Sequence, residues 1–321
     1  MEKNFIYMKK EKMSHVLVTG GAGYLGSVLV PMLLMANHDV TVIDNFRYGQ
    51  SSLMGCCHHR KLSILNQDIR LNSEYHDWVK VADVIIPLAA MVGAPVCDKN
   101  RAEAFSVNTN AIEDLCRVTR PDQTILYPMS NSGYGTGGEA ECTEESPLLP
   151  ISVYGKSKVL AEKAVLAHPR GVSFRFATLF GCSPRMRLDL LVNDFVHRAV
   201  RDRSIILFEP NFRRNFLHVR DAASAFLFAI NHQDQMAGQV YNVGLSSANL
   251  TKSQLCEYIS QHVKGFTWHI GDGKDPDQRN YVVSNAKIEA LGWKPRYTLN
   301  DGIRELLKGY AMPLENNYRN A

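Results

Sequence analysis

The sequence predicts an α/β protein: a doubly wound parallel sheet, followed by a smaller mixed α/β lobe toward the C-terminus. Three observations carry this. Short apolar, β-branched runs alternate with helical stretches through the first half. The first run ends in a glycine-rich turn. After about residue 178 the alternation becomes irregular.

HVLVT (15–19) and DVTVID (39–44) read as the first two strands, with a helix from Tyr24 to Ala36 between them. DVIIPLAA (83–90), TILYPMS (124–130) and GVSFRFA (171–177) continue the series. Helical stretches over about 98–119 and 154–167 separate them. Strands that alternate with helices in this way form a parallel sheet covered on both faces. Beyond residue 178, NDFVHRAVRD and AASAFLFAIN read as helices, while IILFEP, RRNFLHVRD and QVYNVG are mixed in character. Residues 1–13 are expected to be a disordered lead, with Met8 and Met13 as alternative starts. Residues 14–178 then form the sheet domain, about 215–245 return to it, and 179–321 form most of the smaller lobe. In the helix AASAFLFAIN, the stripe Ala222, Phe226 and Ala229 reads as core, and His218 just before it as a packed residue.

Composition narrows the function. Hydrophobic residues make up 45% and charged residues 21% of the 321, ordinary for a soluble globular protein. The net charge of +4 is scattered, and no basic run is interleaved with aromatics, so nucleic acid is not expected as a partner. No uncharged apolar run reaches the roughly 18 residues of a membrane span, and the charged opening has no signal-peptide core. Seven cysteines without a spacing pattern fit a reducing compartment, hence a cytoplasmic location. Cys56, Cys57, His58 and His59 are consecutive, a poor arrangement for wrapping one tetrahedral ion, so a surface loop is expected and no metal.

The turn after the first strand is TGGAGYLG, with Gly20, Gly23 and Gly26 three residues apart, and Tyr24 and Leu25 between the last two. A backbone without Cβ can turn tightly and let a pyrophosphate reach its amides, at the positive end of the following helix. Asp44 closes the second strand 18 residues beyond Gly26, near the spacing of about 20 at which a carboxylate holds the adenosine ribose hydroxyls. Strand, glycine turn, helix and acid together define a Rossmann-type dinucleotide site. The acid favours NAD over NADP, although Arg47 is a group that can accept a 2′-phosphate.

SVYGKSK (152–158) places Tyr154 four residues before Lys158, one face of a helix. A phenol with pKa about 10 is a poor base at neutral pH. A neighbouring cation favours its charged form, so the pair can act as an activated acid/base.

With the glycine triad, Asp44 and Tyr154-x-x-x-Lys158 in this order, the chain resembles the extended short-chain dehydrogenase/reductases, and within them the sugar-nucleotide epimerases and dehydratases typified by UDP-galactose 4-epimerase. DIR (68–70), PLAA (87–90), NTNAIEDL (108–115), SNSGYG (130–135), RNFLHVRD (214–221), YNVG (241–244) and LGW (291–293) extend the resemblance over about residues 15–310. It implies a Rossmann-type fold, NAD as cofactor, a nucleotide-diphosphate sugar as substrate, and a homodimer packed through the helices at about 98–119 and 154–167. It implies cofactor contacts from Gly20, Gly23, Tyr24, Leu25, Gly26, Asp44 and Asn45. Further along, Asp68 and Ile69 would flank the adenine, Leu88, Ala89 and Ala90 line the cofactor, and Asn108 support the site's backbone. Ser130, Tyr154 and Lys158 would be catalytic, with Tyr154 and Lys158 also touching the cofactor. Ser132, Asn193, Arg185, Arg187, Arg214 and Arg279 would meet the substrate.

The implied activity is a sugar-nucleotide epimerase that abstracts a hydride to form a keto sugar, with the 4-keto form expected. The alternative on the same scaffold is a sugar-nucleotide 4-dehydrogenase or ketoreductase, and a non-catalytic NAD-binding sensor is a further one. Dehydratases carry Asp-Glu after the catalytic Ser/Thr; Asn131 and Ser132 stand there here, against water elimination. MVGAP (91–95) and PRMRLD (184–189) also differ from the usual 4-epimerase stretches, leaving the nucleotide and the sugar open.

Overall fold

The computed structural model describes residues 13–71, 75–136, 140–273 and 279–312. The expected lead thus lies, except for Met13, outside the described residues. Strands β1 (His15–Thr19), β2 (Asp39–Asp44) and β3 (Leu62–Asn66) come first. They are followed by β4 (Val84–Pro87), β5 (Thr124–Ser130) and β6 (Gly171–Phe176). With β10 (Val240–Val243) these make a seven-stranded sheet among the described residues, ordered β10-β6-β5-β4-β1-β2-β3. Every pairing in it is parallel. The order reverses between β1 and β4, and at that switch point the loops diverge and leave a crevice beyond the strands' C-terminal ends.

Period-two alternation sends successive strand residues into two separate cores. Val16, Val18, Val40 and Val42 pack on one face with Val28, Leu29 and Leu33 of α1 (Gly26–Met35), while Leu17, Ile43 and Ile85 pack on the other. On that second face lie α2 (His76–Val81), α3 (Ala94–Lys99), α4 (Arg101–Phe105), α5 (Ala111–Val118) and α6 (Val153–Leu166).

The single helix expected over about 98–119 is broken. Asn100, at φ −126°, separates α3 from α4, and a wide π turn over Ser106–Asn110 separates α4 from α5. The wide turn lets Asn108 and Thr109 reach Ser157 on α6, a contact that a regular helix would not align. The strand β3 has no counterpart in the sequence reading. It lies at the sheet edge, and its half-exposed LSILN carries no buried stripe.

Beyond β6, β7 (Thr178–Phe180) pairs with β9 (Arg213–His218), which also pairs antiparallel with β11 (Asn249–Thr251). β8 (Ser204–Leu207) pairs with β12 (Thr267–Ile270). α7 (Leu191–Arg201), α8 (Val219–Asn231), α9 (Gln233–Met236), α10 (Lys252–Ser260), α11 (Ala286–Ala290) and α12 (Leu299–Tyr310) complete the chain. Ala222, Phe226 and Ala229 are fully buried, α8 lying against α1. His218 is buried between the rings of Phe180 and Tyr297, its Nε2 2.5 Å from Glu305 Oε2. Among the described residues no helix is long and apolar enough to cross a membrane.

α6 is tied to the sheet by a buried pair. Glu162 and Arg175 of β6 are 2% and 5% exposed and meet through two 3.0 Å bonds. Ser173 donates to Glu162 as well. Glu162→Gln removes one charge and leaves the buried guanidinium uncompensated, so urea titration should show a loss of about 3 kcal/mol.

Candidate active site

A cavity of about 660 Å³ runs along the C-terminal ends of the strands, from the tip of β2 to the start of α6. Gly20, Gly23, Asp44, Ser130, Tyr154 and Lys158 all face it.

At one end lies the glycine turn. Gly20 sits at φ +69°, and a Cβ there would fall 2.5 Å from the backbone nitrogen of Ala89, so the loops leaving β1 and β4 can pass only with glycine at 20. A Cβ on Gly26 would fall 2.5 Å from the carbonyl oxygen of Gly21. Gly23, Tyr24, Leu25 and Gly26 form the wall at the N-terminal end of α1. Asp44 Oδ2 accepts the Ala22 amide at 3.0 Å, and Oδ1 accepts that of Phe46 at 2.8 Å. Burial pushes its carboxyl above the usual range, and these two amides pull it back. Asn45 donates to Asp68, whose carboxylate grips Arg70 at 2.9 and 2.6 Å and is held at about 2 by that guanidinium. Ile69 and the segment Leu88–Ala90 complete this end.

At the middle, the N-cap Ser152 accepts the Gly155 amide and starts α6, which puts Tyr154 and Lys158 on the cavity side. Ser130 Oγ accepts the Ser132 amide at 3.2 Å, leaving its hydroxyl proton to be donated elsewhere. Burial raises the Tyr154 phenol, opposed by the guanidinium charges of Arg187 and Arg279 and by the Ser130 hydroxyl. Lys158, 3% exposed, holds its Nζ 4.0 Å above the ring of Tyr127. Burial lowers its ammonium to about 7, with Glu162 one turn further acting the other way.

Three of the expected site residues lie behind the lining, Asn108 among them in the backbone-supporting place expected of it. Asn108 does not face the cavity: its amide bonds both the N–H and C=O of Met91, at 2.8 and 2.9 Å, and reaches Ser157 Oγ at 3.1 Å. It clamps the wall rather than touching what lies inside. Asn193, fully buried, is spent on the Gly181 amide and the Arg187 carbonyl. Ser132 is buried in the short turn after β5.

Arg185, Arg187, Arg214 and Arg279 do line the cavity. Arg185 lies over the Tyr48 ring at 4.5 Å, at the Asp44 end, whereas Arg187 is gripped by Asp189 through 3.1 and 2.6 Å bonds. Arg214 is buried and donates to the Arg213 carbonyl. Sequence reasoning missed Tyr48, Lys252 and Thr178, which share the lining. Nothing in their local sequence marks them, since loops distant in the chain bring them there. The run at 56–59 lies elsewhere, and among the described residues no group of three or more His, Cys, Asp or Glu could hold a metal ion.

The model of the NAD dependent epimerase/dehydratase family matches residues 16–244. Among curated relatives, the low-salt glycan biosynthesis protein Agl12 of Haloferax volcanii is 28% identical, over 92% of this chain and 98% of its own. The uncharacterized UDP-glucose epimerase YtcB of Bacillus subtilis is 26% identical, over 90% and 95%. Among solved structures, a UDP-N-acetylglucosamine 4-epimerase from Methanobrevibacter ruminantium superposes with a TM-score of 0.82 at 20% identity, over 93% of this chain and 99% of that one. The chain belongs to the NAD dependent epimerase/dehydratase family, an enzyme family that works with NAD.

The residues present fit that cofactor. The close pass of Gly20 under Ala89 keeps the crevice open beside the start of α1, and Asp44 ends β2 within the same slot. The lowered Lys158 amine is directly testable. As pH rises through about 7 it loses its proton and becomes nucleophilic, while exposed lysines do so near 10. In nucleotide-free protein at pH 7.5, above that value and well below the range of exposed lysines, limited acylation read by peptide mass spectrometry should label Lys158 ahead of surface lysines, and NAD should protect it.

Proposed function

We propose that this chain is an NAD-dependent sugar-nucleotide epimerase acting through a keto sugar, the 4-keto form being the expected one. The observation that carries the reading is one continuous slot lined by the glycine turn, Asp44, Ser130, Tyr154 and Lys158 and also by Arg187, Arg214 and Arg279. Gly20 to Gly26, Asp44 and Lys158 would hold the dinucleotide, and those three guanidiniums would take the diphosphate of a nucleotide sugar. NAD, when bound, supplies an acceptor for a sugar hydride and a donor to return it.

Tyr154 receives the proton of the sugar hydroxyl at its phenolic oxygen and later gives it back. Ser130 donates to that sugar oxygen as charge shifts onto it. Lys158, on the same helix face, favours the phenolate and holds the adjoining ribose. Asn108 acts at one remove by clamping Met91 and Ser157. Asn131 and Ser132, the two residues after Ser130, do not titrate, which favours epimerisation over loss of water.

On this reading residues 14–178, with parts of about 215–245 such as β10, form the cofactor half, and 179–321, of which 313–321 lie outside the described residues, supply most of the substrate half. A cytoplasmic homodimer joined through α5 and α6 belongs to the same proposal. Leu160, 42% exposed on α6, is an apolar side chain that such packing would cover.

Tyr154→Phe should lower kcat by about 10²–10⁴ while nucleotide binding persists. In deuterated water the epimerised carbon should keep its original hydrogen. Stoichiometric conversion of added NAD to NADH with a nucleotide sugar would instead make the chain a dehydrogenase.

A further inference from the structure

We propose that Glu103 sets the coenzyme preference by occupying the guanidinium of Arg47. This rests on reading the slot as the NAD site. Arg47 lies three residues past Asp44 and faces the cavity at its Asp44 end. An arginine there is the kind of group that receives a 2′-phosphate. Its fork, however, is already filled: Nη1 lies 2.6 Å from Glu103 Oε1, and Nη2 lies 3.4 Å from Oε2. Of the other guanidiniums at this end, Arg185 is laid over the Tyr48 ring at 4.5 Å, and Arg70 is filled in the same way by Asp68 at 2.9 and 2.6 Å, its Nη1 standing 3.6 Å from Glu103 Oε1.

Glu103 is itself not in the lining. It reaches forward from the first turn of α4 and works through Arg47. A 2′-phosphate would therefore meet the Asp44 carboxylate on one side, and on the other an arginine whose bidentate face is spent and whose charge is offset. NAD, with a bare 2′-hydroxyl, meets no such penalty. Asp44 is the first barrier, and Glu103 converts the neighbouring cation from an invitation into a neutral pair. Both side chains of the pair are partly exposed, 46% and 30%, so the effect is a modest one that salt should weaken.

The test is binding, read by titration calorimetry of the nucleotide-stripped full chain with NAD and with NADP. Glu103→Gln should tighten NADP about three- to fivefold and change NAD by less than about twofold. Glu103→Asp, which keeps the charge, should stay closer to wild type. Adding Arg47→Gln to Glu103→Gln should abolish the gain, and raising the salt should shrink it. A merely structural role for Glu103 would weaken both nucleotides together. An unchanged NADP/NAD ratio in Glu103→Gln, or a gain that survives without Arg47, overturns the proposal. If wild type binds neither nucleotide, the cofactor reading falls and takes this inference with it. If it binds NAD while the ratio stays put, only the inference falls.

Discussion

The two bonds between Glu162 and Arg175 hold α6 against β6 in a region closed to water, and the middle of the cavity inherits its geometry from them. Tyr154, Lys158 and Glu162 recur at intervals of four, so one helix face carries the phenol, the amine and the anchor in succession. Fixing the last of these against the sheet fixes the azimuth of the other two. Ser157 and its backbone carbonyl are held from the opposite side by Asn108 and Thr109 on the wide turn before α5. Asn108 also grips Met91, so the helix that carries Tyr154 and Lys158 and the loop lining the slot share one clamp. A buried ion pair adds little net stability compared with well-packed apolar groups. Its value here is positional.

That dry setting also explains the directions in which the two key groups titrate. Burial pushes the Tyr154 phenol up and the Lys158 ammonium down, so both lean toward neutrality. Lys158 holds its ammonium over the Tyr127 ring, and the guanidiniums of Arg187 and Arg279 add their charges at Tyr154. The simple picture of one lysine activating one tyrosine is therefore incomplete. In a low-dielectric cavity each charge is costly alone and each opposite pair is strong. The charge at the Tyr154 phenol thus answers to cations brought from distant parts of the chain, Arg187 and Arg279 among them, and not to its own helix alone.

How much of this can be read from the sequence follows from how local each signal is. β1, β2 and β5 match their apolar runs residue for residue, because each is buried on both faces and ends at a glycine or at the site. Gly20, Asp44, Tyr154 and Lys158 were legible because their spacing is set by one turn or one helix. β3 was not, since an edge strand with a half-exposed pattern carries no periodic apolar signal. The break at Asn100 and the wide turn at Ser106–Asn110 were equally silent, because no apolar spacing marks them, and the bonds of the turn to Ser157 join residues far apart in the chain. Asn193 and Ser132 were assigned outward roles on resemblance, but the packing turns their polar groups to the backbone and the interior. Glu103 lies far from Arg47 in the chain, so their pairing is visible only in three dimensions.

The segment after β7 shows why local spacing fails in this half. Arg185 and Arg187 are two residues apart, and sequence reasoning gave them one role. In extended chain, side chains two apart share a side, but this stretch is irregular and separates them. Arg185 is drawn to the Tyr48 ring and tied through its amide to Ser27 and Ser183, beside α1. Arg187 turns to Asp189 and feels the charge of Tyr154. One loop therefore reaches from the Asp44 end of the slot, through the guanidinium of Arg185, to its middle, through that of Arg187.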